Sequence, residues 1–405
     1  LIFHELEEYQ KAINSYEKAI EIKPDYAEAH SSLGKVFKEL GDFENAKNCF
    51  KKTLKYKPTD LISLYHLSEL DKKILNLDLE TKIIKIINNE NCTKINLSYG
   101  NFLLSIYELQ RKNYEKEFNY LMKGHSYYFD SEKEKFTDGI EYWSNIISEV
   151  KKLVNSNKSN IKIIKNNNDI KPIFIIGVPR CGSTLVEKVI ASGDKYVPIG
   201  EETSIFHDVI ANTIMKNRSS VTDINIIKTM ILERYNQRGL IIEKNDYTFT
   251  DKSLENLFYI RLVKEIFPNA KVIYCKRNTF SSIMSIIKNN LTKVPWAHSL
   301  NHIFTYFNIF FNEIENLKKN FPNFIYELEY EKFVNDSEIE SKKLLEYCNL
   351  PWNKRCLEFY KRKDLISKTA SNIQIREAIY QNSINKYSSY KKFFKNYENK
   401  YFWFK

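Results

Sequence analysis

Apolar positions recur in two different rhythms along this chain. From Tyr9 to about Val154 they return every three or four residues, the spacing of amphipathic helices. From Ile173 onward short apolar runs of strand length alternate with helical stretches. The first run, Ile173 to Ile176, is unbroken and reads as a strand buried on both faces. Further strands are expected at Tyr196 to Ile199, Tyr247 to Thr250, Lys271 to Cys275 and Asn323 to Leu328. Helices are expected at Leu254 to Phe267, closed by Pro268, at Phe280 to Lys288 and at Tyr306 to Leu317. Alternation of this kind predicts an α/β unit with a mostly parallel sheet.

The helical part repeats itself. Tyr9, Ala12, Tyr16, Ala19 and Pro24 return 34 residues later as Phe43, Ala46, Phe50, Thr53 and Pro58. His30, Leu33, Gly34 and Phe37 supply the first helix of the second unit. That period and residue pattern are those of a tetratricopeptide repeat: alanines where helices cross closely, aromatics in the groove, proline after the second helix. A third unit begins at Leu61 and decays. Gly100 to Gly124 reads as a degenerate fourth, through Leu104, Tyr114, Phe118 and Leu121. Repeat arrays need capped ends and about three or more units. The chain begins at Leu1 with half a unit, so further repeats are expected upstream. Stacked repeats also build a concave surface suited to a peptide. The polar, low-complexity run Asn155 to Asp169 marks the boundary. The expected domains are repeats and linker helices over 1–154, a polar linker over 155–171 and the α/β unit over 172–405.

Chemistry concentrates just after the first strand. Gly177, Pro179, Arg180, Cys181, Gly182, Ser183 and Thr184 lead into a helix whose apolar positions are Leu185, Val186, Val189 and Ile190. Strand, small-residue loop and helix start make an anion site, because backbone N–H groups and the helix dipole point at one spot. The spacing is that of a Walker A loop with Ser183 where the lysine belongs. Without that lysine, a nucleoside triphosphatase is disfavoured and a different phosphorylated ligand is expected; Arg180 supplies a cation. Arg180, Glu202, Lys252, Arg277 and Tyr330 all fall at carboxyl ends of expected strands, where ligands of such sheets bind. Arg277 with Ser285 and Lys288 would grip a second, isolated phosphate. Lys252 would neutralise charge on a leaving oxygen. Glu201 or Glu202 would act as a general base, only one of the two facing the site.

Composition adds limits. The 405 residues suit two domains, and 43% hydrophobic content suits real cores. The net charge of +11 favours anionic ligands, discounted for a Lys-, Asn- and Ile-rich bias of the kind an AT-rich genome imposes. No recognition motif accompanies the charge, so nucleic acid is not an expected partner. No run of about 18 apolar residues appears, so no membrane span is expected. Six scattered cysteines form no CxxC pair, which points to a reducing cytoplasm without zinc or disulfides. His298 and His302 stand four apart but lack a third ligand, so no metal is expected; packing on the acceptor side is the favoured role. The C-terminal run from Lys386 alternates lysine with aromatics and reads as a tail packed on the α/β unit.

The loop PRCGST resembles the phosphosulfate loop of the sulfotransferases, and Arg277 to Ser285 their 3′-phosphate motif. The nearest resemblance is to the bacterial group with tetratricopeptide repeats fused to a sulfotransferase domain, similar also to tyrosylprotein sulfotransferases. It extends over FTDKSLENLFYIRLVKEIFPNAKVIYCKRN, YELEYEKFVND, NLPW and KTASNIQIREAIYQNSINKY. The resemblance implies transfer of a sulfuryl group from 3′-phosphoadenosine 5′-phosphosulfate (PAPS) to an acceptor hydroxyl on a protein tyrosine, a glycan or a small alcohol, without a metal. It implies that Arg180, Gly182, Ser183 and Thr184, with Cys181 in the loop, hold the 5′-phosphosulfate. Arg277 and Ser285 would take the 3′-phosphate, with Lys288 beside them. Lys252 would stabilise the bridging oxygen, Glu202 of GEET would be the base, and Tyr330 and Thr369 to Arg376 would line the nucleotide or acceptor side. Three departures stand out: Cys181 for serine, Ser183 for threonine and Asn278 for aspartate. Those at Cys181 and Asn278 motivate a second reading, a non-catalytic nucleotide-sensing scaffold whose repeats bind a protein partner.

Overall fold

In a computed structural model of the chain, residues 2–5, 8–157, 170–211, 223–242, 247–362, 376–379 and 386–404 are described. The repeats form antiparallel helix pairs: α1 (Ile2–Glu5) with α2 (Tyr9–Ile22), then α3 (Ala27–Leu40) with α4 (Phe43–Tyr56). The small residues do what their spacing implies. Ala46 is fully buried, and a Cβ on Gly34 would stand 2.8 Å from the Phe50 ring, so α3 and α4 cross with no room for a side chain between them. Asp42 and Asp60 cap α4 and α5 (Leu61–Leu70), each accepting a bond from a backbone N–H three residues on. α6 (Leu77–Ile87), α7 (Lys94–Gln110) and α8 (Tyr114–Ser131) continue the array, and α7 with α8 is the degenerate pair the glycines marked. α9 (Lys133–Asn157) then runs against the α/β unit, where Tyr142, Ile146, Val150 and Leu153 join its core.

The sheet has four parallel strands in the order β2-β1-β3-β4. β1 is Lys171–Gly177, β2 Thr248–Asp251, β3 Lys271–Lys276 and β4 Ile325–Glu329. Ile173, Phe174, Ile175 and Ile176 of β1 have no exposed surface, as an unbroken apolar run in a central parallel strand requires. Burying side chains of this size is worth about 1.5–3 kcal/mol each. Between β1 and β2 lie α10 (Ser183–Ala191), α11 (Ile205–Ile210) and α12 (Ile224–Gln237). Between β2 and β3 a 3-10 segment, Leu254–Tyr259, precedes α13 (Ile260–Ile266). α14 (Thr279–Ile287) and α15 (Leu300–Asn320) connect β3 to β4, and α16 (Tyr330–Asn335) and α17 (Ser337–Tyr347) follow. The chain leaves β1 toward β2 on one side and later leaves β3 toward β4 on the other. The crevice above β1 and β3 is thus the topological switch point, where ligands of such sheets bind.

Two expected elements differ. Tyr196 to Ile199 shrinks to one bridge, Ile199 to Thr250, because Gly200 presses onto the Thr250 carbonyl and Glu201 turns left-handed at φ 49°. Leu254 to Phe267 is not one helix: its first six residues are 3-10, since the Ser253 hydroxyl bonds the Ser204 N–H across the chain instead of capping. The C-terminal tail packs as expected, with Tyr397 stacked 4.0 Å from Phe304, and it also reaches the repeats, where Phe393 stacks 4.5 Å from Phe118.

Candidate active site

Gly177 of β1 pairs with Cys275 of β3, which sets the loop after β1 beside the turn after β3. The loop is held in an unusual shape. Arg180 has φ 69° and Gly182 φ 96°. A non-glycine residue there costs about 1–3 kcal/mol, a cost concentrated at functional sites. Gly182 starts α10 with no side-chain cap, and a Cβ on it would run into the Tyr330 ring. Arg277 donates to the Arg180 carbonyl at 2.7 Å and lies over the face of Tyr330, 4.6 Å from the ring centroid. Arg180 in turn donates through Nε to the Ser285 hydroxyl at 3.0 Å. Arg180, Gly182, Arg277, Ser285 and Tyr330, spread over 150 residues of sequence, thus form one cluster at a helix N-terminus. Asn278 caps α14, accepting from the Ser281 N–H at 2.9 Å as an aspartate would.

Lys252 stands at the end of β2, the strand on the other side of β1. Its side chain is fully buried, and its ammonium donates to Glu202 at 3.0 Å; the Glu202 side chain is 53% exposed. Burial opposes the charge on Lys252, but Glu202, Glu187 and Glu201 overcome it and hold the group above the ordinary lysine range. The ammonium is therefore a fixed cation at neutral pH. Glu201 faces the other way, inward, and accepts from Lys188 at 3.2 Å. Below them Asp251 is anchored by the Thr203 and Tyr235 hydroxyls and the Ser253 N–H. Burial pushes the half-buried Glu255 carboxyl up to about 7, with Glu202 and Asp251 adding to the rise.

Other expected residues lie elsewhere. The Cys181 thiol turns inward, fully buried, and hydrogen-bonds Cys275, so it does not face the anion site. Lys288 does not join Arg277 and Ser285. Its ammonium pairs at 2.5 Å with Glu117 of α8 and donates at 2.8 Å to the Tyr390 hydroxyl, which also bonds Glu117. This buried triad ties repeats, α14 and tail together, and no local pattern around Lys288 announced it. Thr369 to Ser371 and on to Ile375 lie outside the described residues. Arg376 lies over Phe43 and donates to the Leu40 carbonyl, on the repeats. His298 packs between Phe136 and Tyr128 and meets His125 at 3.2 Å, at the joint with the repeats. Among the described residues no group of three or more His, Cys, Asp or Glu is placed to hold a metal. Sequence reasoning missed Glu187. The available signal was a glutamate four residues after Ser183, on the face of α10 that descends from the loop.

Residues 172–354 match the family model described as the sulfotransferase family, and residues 1–41 and 27–60 match tetratricopeptide repeat models. Residues 172–354 form a sulfotransferase-family domain, and tetratricopeptide repeats precede it. Over 240 residues the chain is 33% identical to an uncharacterized protein of Aquifex aeolicus, covering 55% of this chain and 31% of that protein. It is 28% identical over 229 residues to protein-tyrosine sulfotransferase 1 of Danio rerio, covering 50% of this chain and 59% of that protein. The chain thus spans less than two thirds of the length of either relative. Among solved structures, the sulfotransferase domain of the Synechococcus olefin synthase is similar at TM-score 0.40 and 14% identity, covering 55% of this chain and 90% of that one. The sulfotransferase domain from the curacin biosynthetic pathway is similar at TM-score 0.39 and 16% identity, covering 54% and 90%.

Proposed function

We propose that the chain is a PAPS-dependent sulfotransferase that moves a sulfuryl group to an acceptor hydroxyl on a protein tyrosine, a glycan or a small alcohol. The observation that carries this reading is the contact of Arg277 with the Arg180 carbonyl. It supports the reading by bringing the turn after β3 against the glycine loop, so that groups assigned to two phosphates lie within the reach of one adenosine. The residues fit that donor: the amides of Gly182, Ser183 and Thr184 with Arg180 would hold a 5′ anion, and Arg277 with Ser285 would hold a 3′-phosphate. PAPS, when bound, supplies a sulfuryl group on an activated phosphate oxygen. Glu202, the exposed carboxylate of the pair, takes the proton from the acceptor hydroxyl. Lys252, held charged in a dry site, stabilises negative charge that develops on the leaving side. The repeats suit a peptide acceptor or partner, since stacked repeats build extended concave surfaces. The six cysteines are unpaired, which suits a reducing cytoplasm.

The substitutions that motivate a nucleotide-sensing scaffold sit off the anion face: Cys181 points inward and Asn278 still caps its helix. Incubation with labelled PAPS and a panel of tyrosine peptides, glycans and small alcohols, read by mass spectrometry, separates the two. Addition of a sulfuryl group to at least one class is expected. Tight binding of the product nucleotide 3′-phosphoadenosine 5′-phosphate (PAP) with no acceptor modified would favour the scaffold.

A further inference from the structure

Glu187 lies one turn into α10 and has no exposed surface. Its Oε1 accepts two hydrogen bonds, from the Glu201 N–H at 3.1 Å and from the Thr250 hydroxyl at 2.7 Å. Its Oε2 is buried without a partner. A buried carboxyl with one oxygen unsatisfied costs stability. Burial also pushes this carboxyl up, against the pull of Lys252 and Lys188. Retention of so unfavourable a group next to Glu202 asks for a reason.

The reason lies in the segment it holds. Glu201 is left-handed, a conformation that glutamate does not adopt unless its surroundings impose it. Glu187 imposes it from below by fixing the Glu201 N–H. β2 imposes it from the side: Gly200 N–H donates to the Thr250 carbonyl at 3.0 Å, and Lys252 N–H donates to the Glu201 carbonyl at 2.7 Å. The turn sends the Glu201 side chain inward to Lys188 and the Glu202 side chain outward to Lys252. Ser183 and Glu187 share one face of α10, four residues apart. A single helical turn therefore connects the loop that would hold the donor to the segment that carries the base.

Resting on the sulfotransferase reading above, we infer that Glu187 is a positioning residue: through the Glu201 N–H it fixes where Glu202 stands relative to the donor loop. It touches neither donor nor acceptor. Loss of the contact would leave the donor grip intact and let the base wander, and misplacement of a reacting group by about 1 Å costs on the order of 100-fold in rate.

The test compares the full chain with Glu187→Ala, Glu187→Gln and Thr250→Val. Amide hydrogen exchange of a peptide spanning residues 199–203, PAP affinity by calorimetry, and kcat and KM with PAPS and either 4-nitrophenol or a tyrosine peptide are measured. Glu187→Ala is expected to speed exchange of the segment and lower kcat by roughly 100-fold, with PAP affinity within about twofold of the parent. Glu187→Gln keeps the accepting oxygen and should restore kcat to within about fivefold, with Thr250→Val intermediate. Parental exchange and kcat in Glu187→Ala, or a raised PAPS KM at unchanged kcat, would overturn the inference. If Glu187→Ala does not fold, parental exchange in Thr250→Val overturns it instead. If neither acceptor is modified by the parent, the exchange of the segment decides. A parent chain that does not bind PAP removes the sulfotransferase reading, and that outcome is seen separately from the exchange result.

Discussion

The repeats and the α/β unit treat charge differently. In the repeats, the pair of Lys57 and Glu28 lies in solvent, at 45% and 62% exposed. In the α/β unit Lys188, Lys252, Glu187 and Asp251 are each no more than 1% exposed, all at the carboxyl end of the sheet or the helix above it. An exposed pair contributes little in either direction, whereas a buried charge is expensive and is destructive once its partner is removed. The repeats thus hold together by shape, through alanine, glycine and aromatic rings. The α/β unit gives up stability to keep an ordered set of charges beside a glycine turn, as catalytic sites do. Charge from the repeats goes inside where the units meet, as in the triad of Glu117, Lys288 and Tyr390.

That contrast is open to direct attack. Lys252→Ala leaves Glu202 without its cation and should lower turnover by about 100- to 1,000-fold, measured as PAP release. A smaller effect is expected at the joint. Burial pushes His125 down to about 4, and burial with the neighbouring His125 pushes His298 down to about 2. Below pH about 6.5 the unfolded chain takes up protons that the folded chain refuses, so stability is full above that pH and falls as the pH drops. His125 alone should cost about 3 kcal/mol between pH 7 and pH 4 in urea unfolding, and His125→Gln should flatten that slope. In the repeats, Gly34→Ala drives a methyl into Phe50. Overpacking of this kind costs about 1–3 kcal/mol, and better helix propensity offsets only about 1 kcal/mol, so the urea midpoint should fall with turnover unchanged. Lys57→Ala should shift unfolding by less than about 1 kcal/mol.

What the sequence made legible follows from range. The 34-residue repeat was readable because close helix crossings demand small residues at fixed spacing, as Gly34 and Ala46 show. The glycine loop after β1 was readable because strand, turn and helix start are contiguous. Arg277 and Tyr330 could be placed from strand ends, since the sheet delivers every such end to one edge. Contacts made across long separations left no local mark. Lys288 looked like a phosphate ligand and instead pairs with Glu117, 171 residues earlier. His298 meets His125, 173 residues earlier, at the joint with the repeats. The strand expected at Tyr196 failed for a tertiary reason too: the clamp on Glu201 bends it away after one bridge.

The account rests on one pocket gripping negative charge at two points, and a titration tests that most directly. PAP and adenosine 5′-phosphate, which lacks the 3′-phosphate, are titrated into the parent chain and into Arg277→Ala. The parent should prefer PAP by at least about tenfold, and Arg277→Ala should bind the two nearly alike, since a charged hydrogen bond of about 1.5–3 kcal/mol is lost from one ligand only. Equal affinity of the parent for both nucleotides, or a preference for PAP that survives in Arg277→Ala, would contradict it.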